Sequence, residues 1–165
     1  MPLLNPGDLF PRLTIDTTDG QALTIPDAFA GDFAVILFNR GAWCPYCNAQ
    51  LRSFERASQT LADNGIRIAA LSVDDKETAT ALAARHKLTF PVGYGAVAAA
   101  LAALTGAFVN PDPVPVYLQS TGFVLDPAGK VIVSVYSSGA IGRLVPDDVV
   151  GLVRYVREHT AKETT

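Results

Sequence analysis

Cysteine is scarce in this chain of 165 residues, which holds 2 of them and 2 histidines. Two thiols cannot staple a disulfide scaffold, build a four-cysteine zinc knuckle or hold a cluster that needs four thiolates. Positive charge is not in excess either: 13 Lys and Arg stand against 16 Asp and Glu, a net charge of -3. With no surplus of cations to displace counterions from a phosphate backbone, a nucleic-acid-binding face is not expected. Charged residues are few altogether, at 18%, beside 49% hydrophobic and 8% aromatic residues, and this composition excludes intrinsic disorder. The length suits a single domain, residues 1–165, with several helices packed around one sheet. Residues 1–8 lack a basic stretch followed by a continuous apolar run, so no secretory leader is read there and a cytoplasmic protein is expected. Residues 88–111 carry no charge, yet Pro91, Gly93, Gly95 and Gly106 interrupt them and alanine dominates the rest. A short helix with flanking loops is predicted there in place of a membrane span, with a subunit contact in a homodimer as the alternative use of the stretch.

Residues 9–16 and 21–25 flank Asp19-Gly20, a dipeptide that readily takes the positive φ angles of a tight turn, and predict an N-terminal β-hairpin. Residues 33–38 are a continuous apolar run, the pattern of a central strand buried on both faces. The run leads through Asn39, Arg40, Gly41, Ala42 and Trp43 into Cys44-Pro45-Tyr46-Cys47, where Pro45 suits the first helical position because its missing N–H would have had no helical partner. From Cys47, Leu51, Phe54, Ser58, Leu61 and Ala62 recur at helical spacing, predicting one amphipathic helix up to a stop at Asn64-Gly65. Residues 66–73 read as the next strand, and a strand, helix, strand crossover implies parallel pairing. Asp74 with Glu77 forms a capping-box pattern before a helix that carries Ala79, Leu82, Ala83 and His86 on one stripe. Two strands near 116–126 and 130–136 follow, joined by the turn Asp126-Pro127-Ala128-Gly129, and Pro146 opens a last helix. The fold class is α/β: a mixed central sheet with helices on both faces, parallel in its middle and antiparallel at one side.

A Cys-x-x-Cys pair at the mouth of a helix has a physical consequence. Unpaired backbone N–H groups and the positive end of the helix dipole favour a thiolate on the first cysteine, so Cys44 is the candidate nucleophile. Cys47 lies one turn deeper on the apolar stripe, more buried and less reactive, and suits a resolving thiol. Residues three apart at a helix start can bring their Cα atoms to the roughly 5.5 Å that an unstrained disulfide prefers. The expected arrangement has Cys44 at the surface with Cys47 behind it. A metal site would need two further ligands, and His86 and His159 are poorly placed to supply them; no metal and no cofactor are expected.

The segment 38–47, together with the N-terminal hairpin, Phe90-Pro91 and residues 123–130, resembles peroxiredoxin-like proteins of the alkyl hydroperoxide reductase and thiol-specific antioxidant superfamily. The resemblance implies a thioredoxin-like fold and a thiol-dependent peroxidase, with attack on a hydroperoxide at the position of Cys44 and resolution at that of Cys47. It also exposes departures. The proline and the threonine or serine usual before the cysteine are replaced by Leu37 and Gly41, which removes the pocket hydroxyl. The usual pocket arginine would fall near Ser120, where a thioredoxin places its cis-proline; Pro115 stands further upstream. Arg40, at the end of the buried strand, and Arg143, in a glycine-containing loop, are the available cations for a thiolate and a leaving alkoxide. Trp43 and Tyr46 would shape the mouth of the site.

Three activities follow as expectations. The first is the peroxidase cycle, restored by a thioredoxin-like or low-molecular-weight thiol reductant. The second is a thiol-disulfide oxidoreductase working through a mixed disulfide on Cys44. The third, of another class, is a non-catalytic redox sensor whose oxidised pair alters partner binding.

Overall fold

The structure, a computed structural model, describes residues 3–112 and 114–163. Met1 and Pro2, which open the stretch read for a leader, lie outside the described residues. Seven strands form one sheet among the described residues: β1 (Leu13–Thr17), β2 (Ala22–Ile25), β3 (Phe33–Phe38), β4 (Ile66–Leu71), β5 (Val92–Tyr94), β6 (Thr121–Leu125) and β7 (Val131–Tyr136), in the order β2-β1-β5-β4-β3-β6-β7. The helices are α1 (Pro45–Arg56), α2 (Ser58–Asp63), α3 (Lys76–Arg85), α4 (Ala98–Thr105) and α5 (Pro146–Glu163). No helix of the described residues is long and apolar enough to cross a membrane.

Strand β3 organises the molecule. All six of its residues are buried, and because side chains alternate along a strand they feed two cores. Ala34, Ile36 and Phe38 join Phe10, Phe123 and the α4 residues Ala98 and Leu101 on one face. Phe33, Val35 and Leu37 join Leu51 and Phe54 of α1, Leu61 of α2, Leu82 of α3 and Val149, Val150 and Val153 of α5 on the other. On the first face Phe123 sits edge-on to Phe10, Phe38 and Tyr136, with ring centroids at 5.1, 5.5 and 5.6 Å. Residues buried on both sides must be apolar throughout, which is why this strand reads as an unbroken hydrophobic run.

Several expectations need correction. The sheet is parallel where β3 pairs β4 and β4 pairs β5, but antiparallel pairs flank that centre on both sides, β1 against β5 and β6 against β3. From the sequence they are expected on one side only, because β5 carries no periodic signal. Only three residues long and centred on glycine, β5 slots between β1 and β4, where a Cβ on Gly93 would lie 2.9 Å from Ile15 Cγ1. The helix after the cysteines is not continuous: Ala57, with φ -91° and ψ 4°, separates α1 from α2. Because the apolar stripe resumes with Leu61, periodicity does not register the break. Helix α3 is capped by Asp75, whose carboxylate accepts the Thr78 N–H at 2.8 Å, and not by Asp74. The strand expected from residue 116 starts at Thr121; the preceding residues turn back on 108–110, where Gln119 N–H donates to Phe108 O at 2.8 Å.

Candidate active site

The site forms where β3 ends and α1 begins. Asn39 N–H still donates to Leu71 O at 2.8 Å, continuing the parallel pairing by one residue, before the chain turns through Arg40 to Trp43. That loop is tied at two points: Ala42 N–H donates to Asp74 Oδ2 at 2.9 Å, and Asn48 Nδ2 donates to Ala42 O at 3.0 Å. The carboxylate that a capping box would have used thus anchors the loop. Cys44 is the N-cap of α1 in an extended conformation, Pro45 is its first helical residue, and Cys44 Sγ accepts the Cys47 N–H at 3.4 Å. A sulfur in this position faces the positive end of the helix dipole.

Both thiols are free, and both are buried, Cys44 at 0% and Cys47 at 1% exposure. Cys44 is therefore not at the surface, contrary to expectation. Two arginine side chains from distant parts of the chain close over the sulfurs. Arg40 Nη1 lies 3.7 Å from Cys44 Sγ; its Nε donates to Gln119 Oε1 at 3.0 Å and its Nη2 to the Tyr117 hydroxyl at 3.3 Å. The guanidinium also stands 5.0 and 5.3 Å from the ring centroids of Trp43 and Tyr117, which themselves meet edge-on at 5.0 Å. Arg143 Nη2 lies 3.0 Å from Cys47 Sγ and 3.7 Å from Cys44 Sγ. Its Nε donates to Ala140 O at 2.7 Å and its Nη1 to Gln50 Oε1 at 2.8 Å, while Gln50 Nε2 donates to Leu144 O at 2.9 Å. The structure thus brings Arg40, Arg143, Cys44 and Cys47 together.

The two thiols titrate in opposite directions. Burial disfavours the Cys44 thiolate, but the Cys47 N–H, the Cys47 thiol, the Arg40 hydrogen bond and the Arg143 charge outweigh it and hold Cys44 below the ordinary thiol range. Burial pushes Cys47 up; Arg143 and the Arg40 N–H, which donates to Cys47 Sγ at 3.3 Å, oppose this, while the hydrogen bond and charge of Cys44 add to it. Burial also works against the Arg40 charge, but the interactions with Cys44 and Tyr117 more than compensate and raise its pKa.

Gly41 is buried beneath the indole of Trp43: a Cβ there would lie 2.3 Å from Trp43 Nε1. The position matching the family's pocket hydroxyl is thus covered by the indole, and any side chain would have to displace it. Trp43 and Tyr46 remain 54% and 53% exposed at the rim. Ser120 is buried, and its carbonyl accepts the Ser137 N–H at 2.9 Å. The neighbouring Gln119 reaches the site in its stead.

Gln50, Gln119, Tyr117, Asp74 and Asn48 also belong to the site or its supports, beyond the residues that the sequence marks. For Gln50 a signal existed: it lies three residues beyond Cys47 on the buried stripe of α1, where a glutamine must find hydrogen-bond partners. The others reach the site only through the tertiary fold.

Comparison with known proteins places this geometry in context. A Mycobacterium tuberculosis relative is 28% identical over 145 residues, covering 86% of this chain and 90% of that one. A peroxiredoxin of Treponema denticola is 26% identical over 147 residues, 87% of this chain and 68% of the relative. Among solved structures, a peroxiredoxin-like protein from Aquifex aeolicus superposes with a TM-score of 0.80 at 18% identity, covering 94% of this chain and 90% of that one. Peroxidoxin BcpB from Mycobacterium tuberculosis gives 0.79 at 18% identity, covering 93% and 98%. These structures share the expected thioredoxin-like fold. Residues 6–134, which carry the hairpin, both cysteines and the central strands, match the family model for AhpC/TSA, and the chain belongs to the AhpC/TSA family.

Proposed function

We propose that the protein is a thiol-dependent peroxidase in which Cys44 attacks the hydroperoxide and Cys47 resolves the product. Membership of the AhpC/TSA family and the similarity to peroxiredoxins support the reaction class. The observation that carries the residue assignment is a Cys44 sulfur held below the ordinary thiol range, with a guanidinium nitrogen of Arg40 and one of Arg143 each at 3.7 Å. The Cys44 thiolate attacks one peroxide oxygen, the O–O bond breaks, and the other oxygen leaves as an alkoxide or hydroxide that takes up a proton. Arg40 and Arg143 supply the positive charge against which that anion develops, in place of the hydroxyl absent at Gly41. The sulfur becomes a sulfenic acid; the Cys47 sulfur then attacks it, a disulfide forms and water leaves.

An external dithiol of the thioredoxin type, or a low-molecular-weight thiol, restores the pair. A solved yeast mitochondrial 1-Cys peroxiredoxin with the same fold is described as resolved through glutathione and thioredoxin systems. A cytoplasmic setting, where such reductants keep thiols reduced, belongs to the same proposal.

Single-turnover mixing of the reduced chain with hydrogen peroxide, with an organic hydroperoxide and with a small disulfide tests the reading. Fast oxidation by a hydroperoxide is expected, abolished in Cys44→Ser and halted at the sulfenic acid in Cys47→Ser. Oxidation of Cys44 no faster than that of a free thiol refutes it, and preferential turnover of the disulfide reassigns the chain to thiol-disulfide exchange.

A further inference from the structure

Arg143 is fixed by two hydrogen bonds of its own, and it is closer to the resolving sulfur than to the attacking one. Ala140 O and Gln50 Oε1 take its Nε and Nη1, leaving Nη2 directed at the sulfurs, 3.0 Å from Cys47 and 3.7 Å from Cys44. Gln50, 8% exposed, is itself fixed by its bond to Leu144 O, so the stretch before α5 and the second turn of α1 hold the guanidinium between them. The groups around Cys47 Sγ come from three elements. Cys44 stands at the start of the same helix, Arg40 follows β3 and contributes its N–H, and Arg143 precedes α5. The Asp74 carboxylate, from the loop between β4 and α3, is engaged by Ala42 N–H.

In the reduced protein the Cys44 thiolate competes for Arg143 and repels a second negative charge on Cys47. Oxidation changes this balance, because a sulfenic acid is neutral where the thiolate was charged. Resting on the peroxidase reading, we propose that Arg143 passes its charge from Cys44 to Cys47 when Cys44 is oxidised, so that the resolving thiol ionises only after the attack, and that Gln50 is the positioning residue that makes this transfer work. The Cys47 proton is released, the thiolate sulfur bonds to Cys44 Sγ, and the S–O bond breaks. The departing hydroxide takes a proton and leaves as water, so one peroxide oxidises two thiols to one disulfide. A thiol kept protonated until needed neither repels the first thiolate nor competes for the peroxide.

The test follows the two phases separately. Rapid mixing of the reduced chain with hydrogen peroxide across a range of pH is read by the fluorescence of Trp43, the single tryptophan of the chain. Mass analysis of quenched samples distinguishes sulfenic acid from disulfide. In Arg143→Met and in Gln50→Leu the pH midpoint of the second phase rises by about one unit and its rate at neutral pH falls about tenfold. Arg143→Lys, which keeps the charge without the fork, lies between these and the unaltered chain. A second phase whose pH profile is the same in Arg143→Met, Gln50→Leu and the unaltered chain overturns the inference while leaving the peroxidase reading intact. Absence of the first phase in the unaltered chain refutes the peroxidase reading itself. A first phase with no second one overturns Cys47 as the resolver.

Discussion

Replacing Arg40 by methionine keeps an aliphatic stem beneath Trp43 and removes one of the two guanidinium groups at 3.7 Å from Cys44 Sγ. Two unit charges at that separation interact by about 1 kcal/mol in water and by about 4 kcal/mol at the effective dielectric of a protein surface. Arg40 is half-buried and its other donors are engaged by Gln119 and Tyr117, so solvent screening places the net effect toward the lower end, about 1.4 kcal/mol. That energy equals about one pKa unit and a tenfold change in thiolate at a pH well below the midpoint. The sign is fixed: losing a cation raises the Cys44 pKa, so the variant holds less thiolate on the acid side and the same amount once both proteins are fully ionised. The Arg40→Met variant should react with hydrogen peroxide about tenfold more slowly on the acid limb, with its midpoint displaced upward by about one unit. Any deficit that persists on the alkaline plateau measures what Arg40 does for the leaving oxygen. Ultraviolet titration of the thiolate, alongside rapid-mixing rates, separates the two contributions. A thiolate titration that coincides with that of the unaltered chain would refute the electrostatic role assigned to Arg40.

Two further outcomes test the scaffold. Gly41→Ala puts a methyl group where Trp43 Nε1 stands, so the half-exposed indole must swing outward and give up its contact with Arg40, at a cost of about 0.5–1 kcal/mol; the tryptophan emission should change, and unchanged emission would contradict the described packing. Because Cys47 titrates above the ordinary thiol range in the folded chain, it retains a proton that the unfolded chain releases. Its contribution is fully present below the ordinary thiol value and is lost as pH rises through the folded one, so Cys47→Ser should flatten the alkaline fall in urea stability; an equal fall in both proteins counts against it.

The sequence exposes most strongly what repeats or is buried on both sides. The run 33–38 announces β3 because both of its faces meet a core, and Cys44, Pro45 and the stripe through Phe54 announce α1 because a cap, a proline and a period coincide. Strand β5 is hidden for the opposite reason: three residues around Gly93 have no period, and their pairing with β1 and β4 is set by space between strands already formed. At the site, the cysteines and Arg40 are adjacent in the chain and visible as a unit. Arg143 lies 99 residues from Cys44 and Gln119 lies 79 from Arg40, so their presence at the sulfurs depends on where α5 and β6 dock. Asp74 shows a subtler limit, since local pattern assigned it to a helix start while the adjacent Asp75 takes that place and frees it for Ala42 N–H.

The complete burial of Cys44 also bears on how the protein is assayed. A sulfur with 0% exposure is out of reach even of a molecule the size of water, so hydrogen peroxide and the far larger alkylating agents and chromogenic disulfides all depend on an opening of the mouth, a wider one for the larger reagents. Their labelling rates therefore report how often the cover of Arg40, Trp43 and Arg143 opens, and at high reagent concentration they level off at the opening rate. A slow native thiol titration is then the signature of a closed mouth, not of an unreactive sulfur, and the size of the probe becomes a ruler for the motion that admits it.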